Sequence, residues 1–126
     1  MIDRLVEVRE TRQIKGEPFR RWFRSDYFDL YVWLGSSGDI VGFQLAYNKE
    51  VSERILTWRV EKGFLHESVD AGETPGKTKM SPVLVPDGAF PSQTVTERFL
   101  EECGNIETGI SEFVYEKIKN LREKAG

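Results

Sequence analysis

The sequence predicts an α+β fold: an antiparallel meander of five to six strands, curling toward a half-barrel, with two carboxyl-terminal helices packed on one face. Three observations carry this. Runs rich in β-branched and aromatic residues follow one another up to Asp70, short clusters of Gly, Asn, Ser and Lys separate them, and from Thr94 onward the apolar period changes from 2 to 3.6. At 126 residues the chain fits one domain, with strands over about 4–70, a loop and edge segment over 71–91, and helices over about 94–103 and 108–122. Such a length buries roughly two-thirds of the unfolded surface in a single core.

In chain order, Arg4 to Gln13 alternates loosely, with Val6 and Val8 against Glu7, Arg9 and Thr11, and reads as a strand. Gly16 and Pro18 suit a turn. Phe19 to Arg24 then sets Arg20, Trp22 and Arg24 against Phe19, Arg21 and Phe23, completing an opening hairpin. For the central strands, a turn on Ser36-Ser37 places Val32 opposite Val41, Leu30 opposite Phe43 and Phe28 opposite Leu45, so apolar residues meet on one face. Pairing Leu45 with Leu56, Phe43 with Trp58 and Val41 with Val60 extends it. Helix stripes follow in Val95, Phe99 and Cys103 behind a Thr94-x-x-Glu97 capping box, and in Ile110, Phe113, Val114, Ile118 and Leu121. Both stripes require a sheet to cover, and the Phe28 face is the complementary apolar surface.

The period of two then fixes the second face. Asp29, Tyr31 and Trp33 lie on it, with Gln44 opposite Asp29, Gly42 under the Tyr31 ring, and Thr57 beside Gln44. A hairpin turning on Glu61-Lys62 sets His66 opposite Thr57 and completes a row Asp29, Gln44, Thr57, His66. A three-residue loop with Gly63 in a bulge moves His66 to the core face, and the sequence allows both. The row offers donors, acceptors and one group that titrates near neutrality, walled by Tyr31, Trp33 and Arg59, and so suits a polar small molecule. The plainer reading is a cross-strand ladder on a solvated face. Tyr27, Tyr31, Trp33, Phe64, Ile40 and Ile55 give this face more apolar area than monomers leave in water. The first hairpin is the favoured cover, ahead of a bound molecule or a second copy of the chain.

Arg20, Arg21, Trp22 and Arg24 form a second candidate, an anion or partner patch. Seven basic and three acidic residues lie between Arg4 and Arg24, against eleven and eighteen elsewhere, in a chain of net charge −3. The overall charge argues against nucleic acid as a partner, although Arg interleaved with rings is the mixture that binds single strands. Ala71 to Thr78 imitates a phosphate-binding loop, but Gly72 and Gly76 enclose three residues where four are required, so a mobile solvent loop without nucleotide affinity is expected. One histidine and one cysteine leave no basis for a metal site, and no cofactor is implied. The lone Cys103 and the charged amino terminus fit a reducing cytoplasm, and no apolar run approaches a membrane span.

Val8-Arg9-Glu10-Thr11-Arg12-Gln13-Ile14, Arg20-Arg21-Trp22-Phe23, Asp29-Leu30-Tyr31-Val32-Trp33, Gly42-Phe43-Gln44-Leu45-x-Tyr47 and Leu56-Thr57-Trp58 together resemble a group of small uncharacterised bacterial proteins. The resemblance covers most of the chain. It implies a bacterial cytoplasmic origin and supplies no catalytic residues. The expected function is therefore a non-enzymatic domain binding a small molecule or a protein partner. A small hydrolase or isomerase using His66 with Asp29 is the alternative from another class, and single-stranded nucleic-acid binding through Arg20–Arg24 is a third.

Overall fold

The computed structural model describes residues 2–68, 80–81 and 90–125. Seven strands pair antiparallel in chain order: β1 (Val6–Glu7), β2 (Phe19–Arg24), β3 (Phe28–Leu34), β4 (Ile40–Tyr47), β5 (Arg54–Arg59), β6 (Gly63–Ser68) and β7 (Met80–Ser81). Helices α1 (Ser92–Glu102) and α2 (Thr108–Ala125) follow, joined through a 3₁₀ turn at Cys103–Asn105. The sheet is open, with the two-residue strands β1 and β7 at its edges.

Alternation sends Phe23, Phe28, Leu30, Val32, Phe43, Leu45, Leu56 and Trp58 to one face, where they form a core with Val95, Phe99, Ile110, Val114 and Ile118 of the helices. The rings of Phe28 and Phe99 meet edge-on at 6.0 Å, and those of Trp58 and Phe113 at 5.4 Å. Each fully buried aliphatic side chain contributes about 1.5–3 kcal/mol, so this inner face holds the helices in place. The helices thus pack on the Phe28 face, as their stripes require.

The β3–β4 register differs from expectation by two residues. Val32 pairs with Phe43, Leu30 with Leu45 and Phe28 with Tyr47, and a bulge after Trp33 sets Leu34 opposite Ile40. Gly38, at φ 90°, supplies the left-handed residue of the turn and moves its centre away from Ser36-Ser37. A slip of two keeps every side chain on its face and changes only its lateral neighbours. The β4–β5 register is the expected one, with Leu45 on Leu56 and Phe43 on Trp58. Between β5 and β6 the loop is three residues long, Gly63 sits at φ 79°, and His66 pairs with Leu56 on the inner face.

Three expectations about the ends are corrected. The first strand is not Arg4–Gln13 but two residues, because after Val8 donates to the Trp22 carbonyl at 2.8 Å the chain turns away through Glu10 at φ 55°. The Gln13 amide then replaces a backbone partner: its Nε2 donates to the Arg20 carbonyl and its Oε1 accepts the Arg20 N–H, both at 2.9 Å. The opening segment does not roof the sheet, since β2 lies in its plane beside β3. Helix α1 starts at Ser92, placing Thr94 inside the first turn with no side-chain cap, and Ser92 Oγ instead donates to the Ile118 carbonyl at 3.1 Å. The mobile loop expected from Ala71 to Ser81 ends instead in a strand, since Met80 and Ser81 pair with Glu67 and His66 as β7; the rest of it, the Pro82–Pro86 edge segment and the Asp87-Gly88 turn lie outside the described residues.

Candidate functional site

The face away from the helices is built by the same alternation. Across β2 and β3 the pairs are Arg24 with Asp29, Trp22 with Tyr31 and Arg20 with Trp33. Tyr31 continues to Gln44 and Thr57, and Trp33 continues to Gly42 and Arg59. The two candidate groups read from the sequence therefore merge into one surface: Arg20, Trp22 and Arg24 adjoin Asp29, Tyr31, Trp33, Gln44, Thr57 and Arg59.

Trp22 and Tyr31 stack at 5.4 Å with planes 13° apart, and the Arg20 guanidinium stands 5.1 Å from the Tyr31 ring centre. Arg20 Nε donates to the Arg12 carbonyl at 2.8 Å, which aims the side chain from the β1–β2 loop. Trp33 covers Gly42, where a Cβ would meet the Trp33 ring at 3.4 Å and the Trp58 carbonyl at 2.9 Å. A ring over a strand glycine is the expected device, with Trp33 rather than Tyr31 supplying it. The Arg59 guanidinium closes over Trp33 at 4.5 Å. Held this way, Trp33 is only 6% exposed, and its Nε1 has no acceptor among the described residues.

Two acceptors on this face, Asp29 and Thr57, are already engaged. Asp29 takes the Trp22 Nε1–H at 3.1 Å on one oxygen and the Lys49 ammonium at 3.2 Å on the other. Gln44 Nε2 donates to Thr57 Oγ1 at 3.4 Å, and burial raises the pKa of Glu67, which favours its neutral form. By contrast, no carboxylate among the described residues lies within ion-pairing distance of Arg20, Arg24 or Arg59. The face has more donors than acceptors.

Two sequence candidates lie elsewhere. Arg21 points to the inner side, where it forks onto Glu7 at 2.8 and 2.9 Å and reaches Glu107 at 3.1 Å. This pairing raises the Arg21 pKa and holds the Glu7 carboxyl below its usual range, a structural clamp between β2 and the start of α2. His66 is buried on the inner face, its Nε2 2.7 Å from the Tyr47 hydroxyl and its ring within 2° of parallel to that of Tyr47. Phe90 closes both rings edge-on. Burial, and secondarily Arg54, pushes the His66 pKa down to about 4, and burial pushes the Tyr47 phenol up. The row of four does not form, because Asp29 pairs with Ala46 and the sheet separates it from His66. The same separation removes the geometry needed for a His66–Asp29 dyad.

Phe64, Tyr27 and Ile40 also pack against the inner core, which reduces the ring surplus of the outer face to Trp22, Tyr31 and Trp33. Tyr47 and Lys49 were not anticipated as site residues. Bringing Tyr47 to His66 required the three-residue β5–β6 loop, and Lys49 sits in a connection where no periodicity points to Asp29. Cys103 is half-buried and burial raises its thiol pKa, the condition of a packing residue rather than a nucleophile.

Two surface clefts flank the Arg21 clamp. One, of about 400 Å³, lies under the β1–β2 loop beside Arg9, Gln13 and Arg20. The other, of about 380 Å³, lies between the β3–β4 turn and α2, with Leu34, Ile40 and Phe113 in its wall. Among the described residues no group of His, Cys, Asp and Glu could hold a metal ion, and no helix is long and apolar enough to cross a membrane. No family model matches the chain, and no curated protein or solved structure is significantly similar to it.

Proposed function

We propose that the protein is a non-enzymatic binding domain and that the outer face of its sheet is the working surface. The observation that carries this reading is the gathering of Trp22, Tyr31 and Trp33 with Arg20, Arg24 and Arg59 on the one broad face that the helices leave free. Rings and guanidiniums are the side chains enriched where proteins meet partners. The buried His66 supports packing rather than proton transfer, since it is neutral at physiological pH and its hydrogen-bond partner is a phenol.

Base stacking has less support. The Tyr31 ring is already approached by Trp22 and Arg20, and the Trp33 ring by Arg59, so neither offers the free face that a nucleobase needs. Indole N–H resonances test the proposal, because the three tryptophans divide between the faces. Titrating a panel of metabolites and peptides into labelled protein is expected to yield ligands that shift the Trp22 and Trp33 signals and leave Trp58 in place. Ligands that move only Trp58, or only residues of the clefts beside Arg21, overturn it.

A further inference from the structure

We infer that the outer face docks an extended acidic segment of a protein partner, seated between Arg20 and Arg59 above the Tyr31 and Trp33 rings. This rests on the outer face being the working surface and adds the chemistry of its occupant.

The argument starts from β3. Tyr31 and Trp33 are two apart on one strand, so their rings are neighbours on the face. Arg20 reaches across from β2 to Tyr31, and Arg59 reaches back from β5 to Trp33, at 5.1 and 4.5 Å from the ring centres. Two like charges are thus drawn together over adjacent rings, held by cation–π contacts and by the Arg12 carbonyl on one side. No carboxylate of the described residues lies within ion-pairing distance of either. Arg24 adds a third guanidinium at the end of β2, across from Asp29, and the buried Trp33 Nε1 lacks an acceptor among the described residues. A protein of net charge −3 that carries on one face cations unpaired among the described residues presents a local field there opposite to its overall charge. What completes such a face is a row of acceptors, and carboxylates fork onto arginine in the geometry it prefers.

Shape decides between a small anion and a polypeptide. The cleft under the β1–β2 loop reaches Arg20 and the one beside α2 reaches Leu34, but neither is lined by Tyr31, Trp33 or Arg59, and small-molecule sites are concave. Strands β2 to β6 span about 19 Å at ~4.8 Å spacing, and six residues of strand run about 20 Å, so the face offers about 400 Å². That is about half of what each partner contributes to a stable complex, and it suits a transient contact with a short segment. A second copy of this chain is disfavoured, because a two-fold axis through the face brings its arginines onto one another.

The full chain is titrated, following tryptophan emission, with poly-L-glutamate, poly-L-lysine, oligothymidylate and inorganic phosphate. Poly-L-glutamate is expected to change the emission, with an apparent Kd that rises at least about tenfold between 50 and 300 mM salt. Arg20→Ala and Arg59→Gln each weaken it about tenfold or more while circular dichroism stays unchanged, and Arg9→Ala leaves it as it was. No response to poly-L-glutamate at millimolar residue concentration overturns the inference. Tighter binding of oligothymidylate replaces it with a nucleic-acid site, and a response to phosphate equal to that of the polymer replaces it with a small-anion site. A response to poly-L-lysine alone removes the acidic partner but keeps the outer face. Binding lost in Arg9→Ala and kept in both other variants removes the outer face itself.

Discussion

Acidifying the protein should destabilise it through one residue. His66 is buried at 8% exposure, hydrogen-bonded to Tyr47 at 2.7 Å and enclosed by Phe90. Its pKa falls from 6.5 in the unfolded chain to about 4 in the fold. Because the folded value is the lower one, the unfolded chain binds the extra proton first. The stability tied to neutral His66 is therefore complete above pH 6.5 and lost as the pH falls toward 4. The 2.5-unit difference corresponds to about 3 kcal/mol, a large share of a domain's margin of roughly 5–15 kcal/mol. Carboxylates also titrate in this window, so the effect is isolated by comparison with His66→Gln, which cannot charge. Urea unfolding at pH 7 and pH 4 should show wild type losing about 3 kcal/mol more than the variant. As the only histidine, His66 gives a single imidazole resonance whose titration reads its pKa directly. A midpoint near 6.5, or equal losses in the two proteins, refutes the buried placement.

Other substitutions probe the sheet. Phe43→Ala removes a ring with no exposed surface that stacks on Trp58 at 6.0 Å, and should cost about 3–5 kcal/mol in urea denaturation. Gly42→Ala puts a methyl 2.9 Å from the Trp58 carbonyl and against the Trp33 ring, an overpacking worth about 1–3 kcal/mol, read as a lower melting temperature with altered tryptophan emission. Ser25→Ala removes the buried hydroxyl that accepts the Tyr27 and Phe28 N–H groups at 3.3 and 3.0 Å, and should cost about 1–3 kcal/mol by the same denaturation. Arg20→Ala and Arg24→Ala, on the outer face, should each change stability by less than about 1 kcal/mol.

Face membership was legible in the sequence, and lateral position was not. Phe28, Leu30, Val32, Phe43 and Leu45 share a face under any even slip of register, which is why the core and the placement of both helices followed from alternation. Who sits beside whom depends on the turn, and Gly38 carries the centre of the β3–β4 turn one position along, which moves every partner by two, so Tyr31 rather than Asp29 meets Gln44. An odd shift has larger consequences. Val60 joins Glu61 and Lys62 in the loop between β5 and β6, one residue more than the two-residue turn, and His66 and Phe64 leave the second face altogether. The first strand is shorter than its pattern because the alternation continues past Val8 without pairing: Glu10 bends the chain, and the Gln13 side chain occupies the edge where a strand is expected. The union of the Arg20–Trp22–Arg24 patch with the Tyr31–Trp33 face required only that β2 lie in the sheet rather than over it. Local composition cannot express that choice.

Ionic quenching of tryptophan fluorescence tests the central claim, an accessible ring in a positive field on the outer face, most directly. Trp33 and Trp58 are buried at 6% and 9% exposure, while Trp22 is half-buried between Arg20 and Arg24. At equal ionic strength iodide should quench several times more strongly than caesium, and Trp22→Phe should abolish most of the difference. Caesium quenching as strong as iodide, or an iodide effect that survives Trp22→Phe, contradicts it.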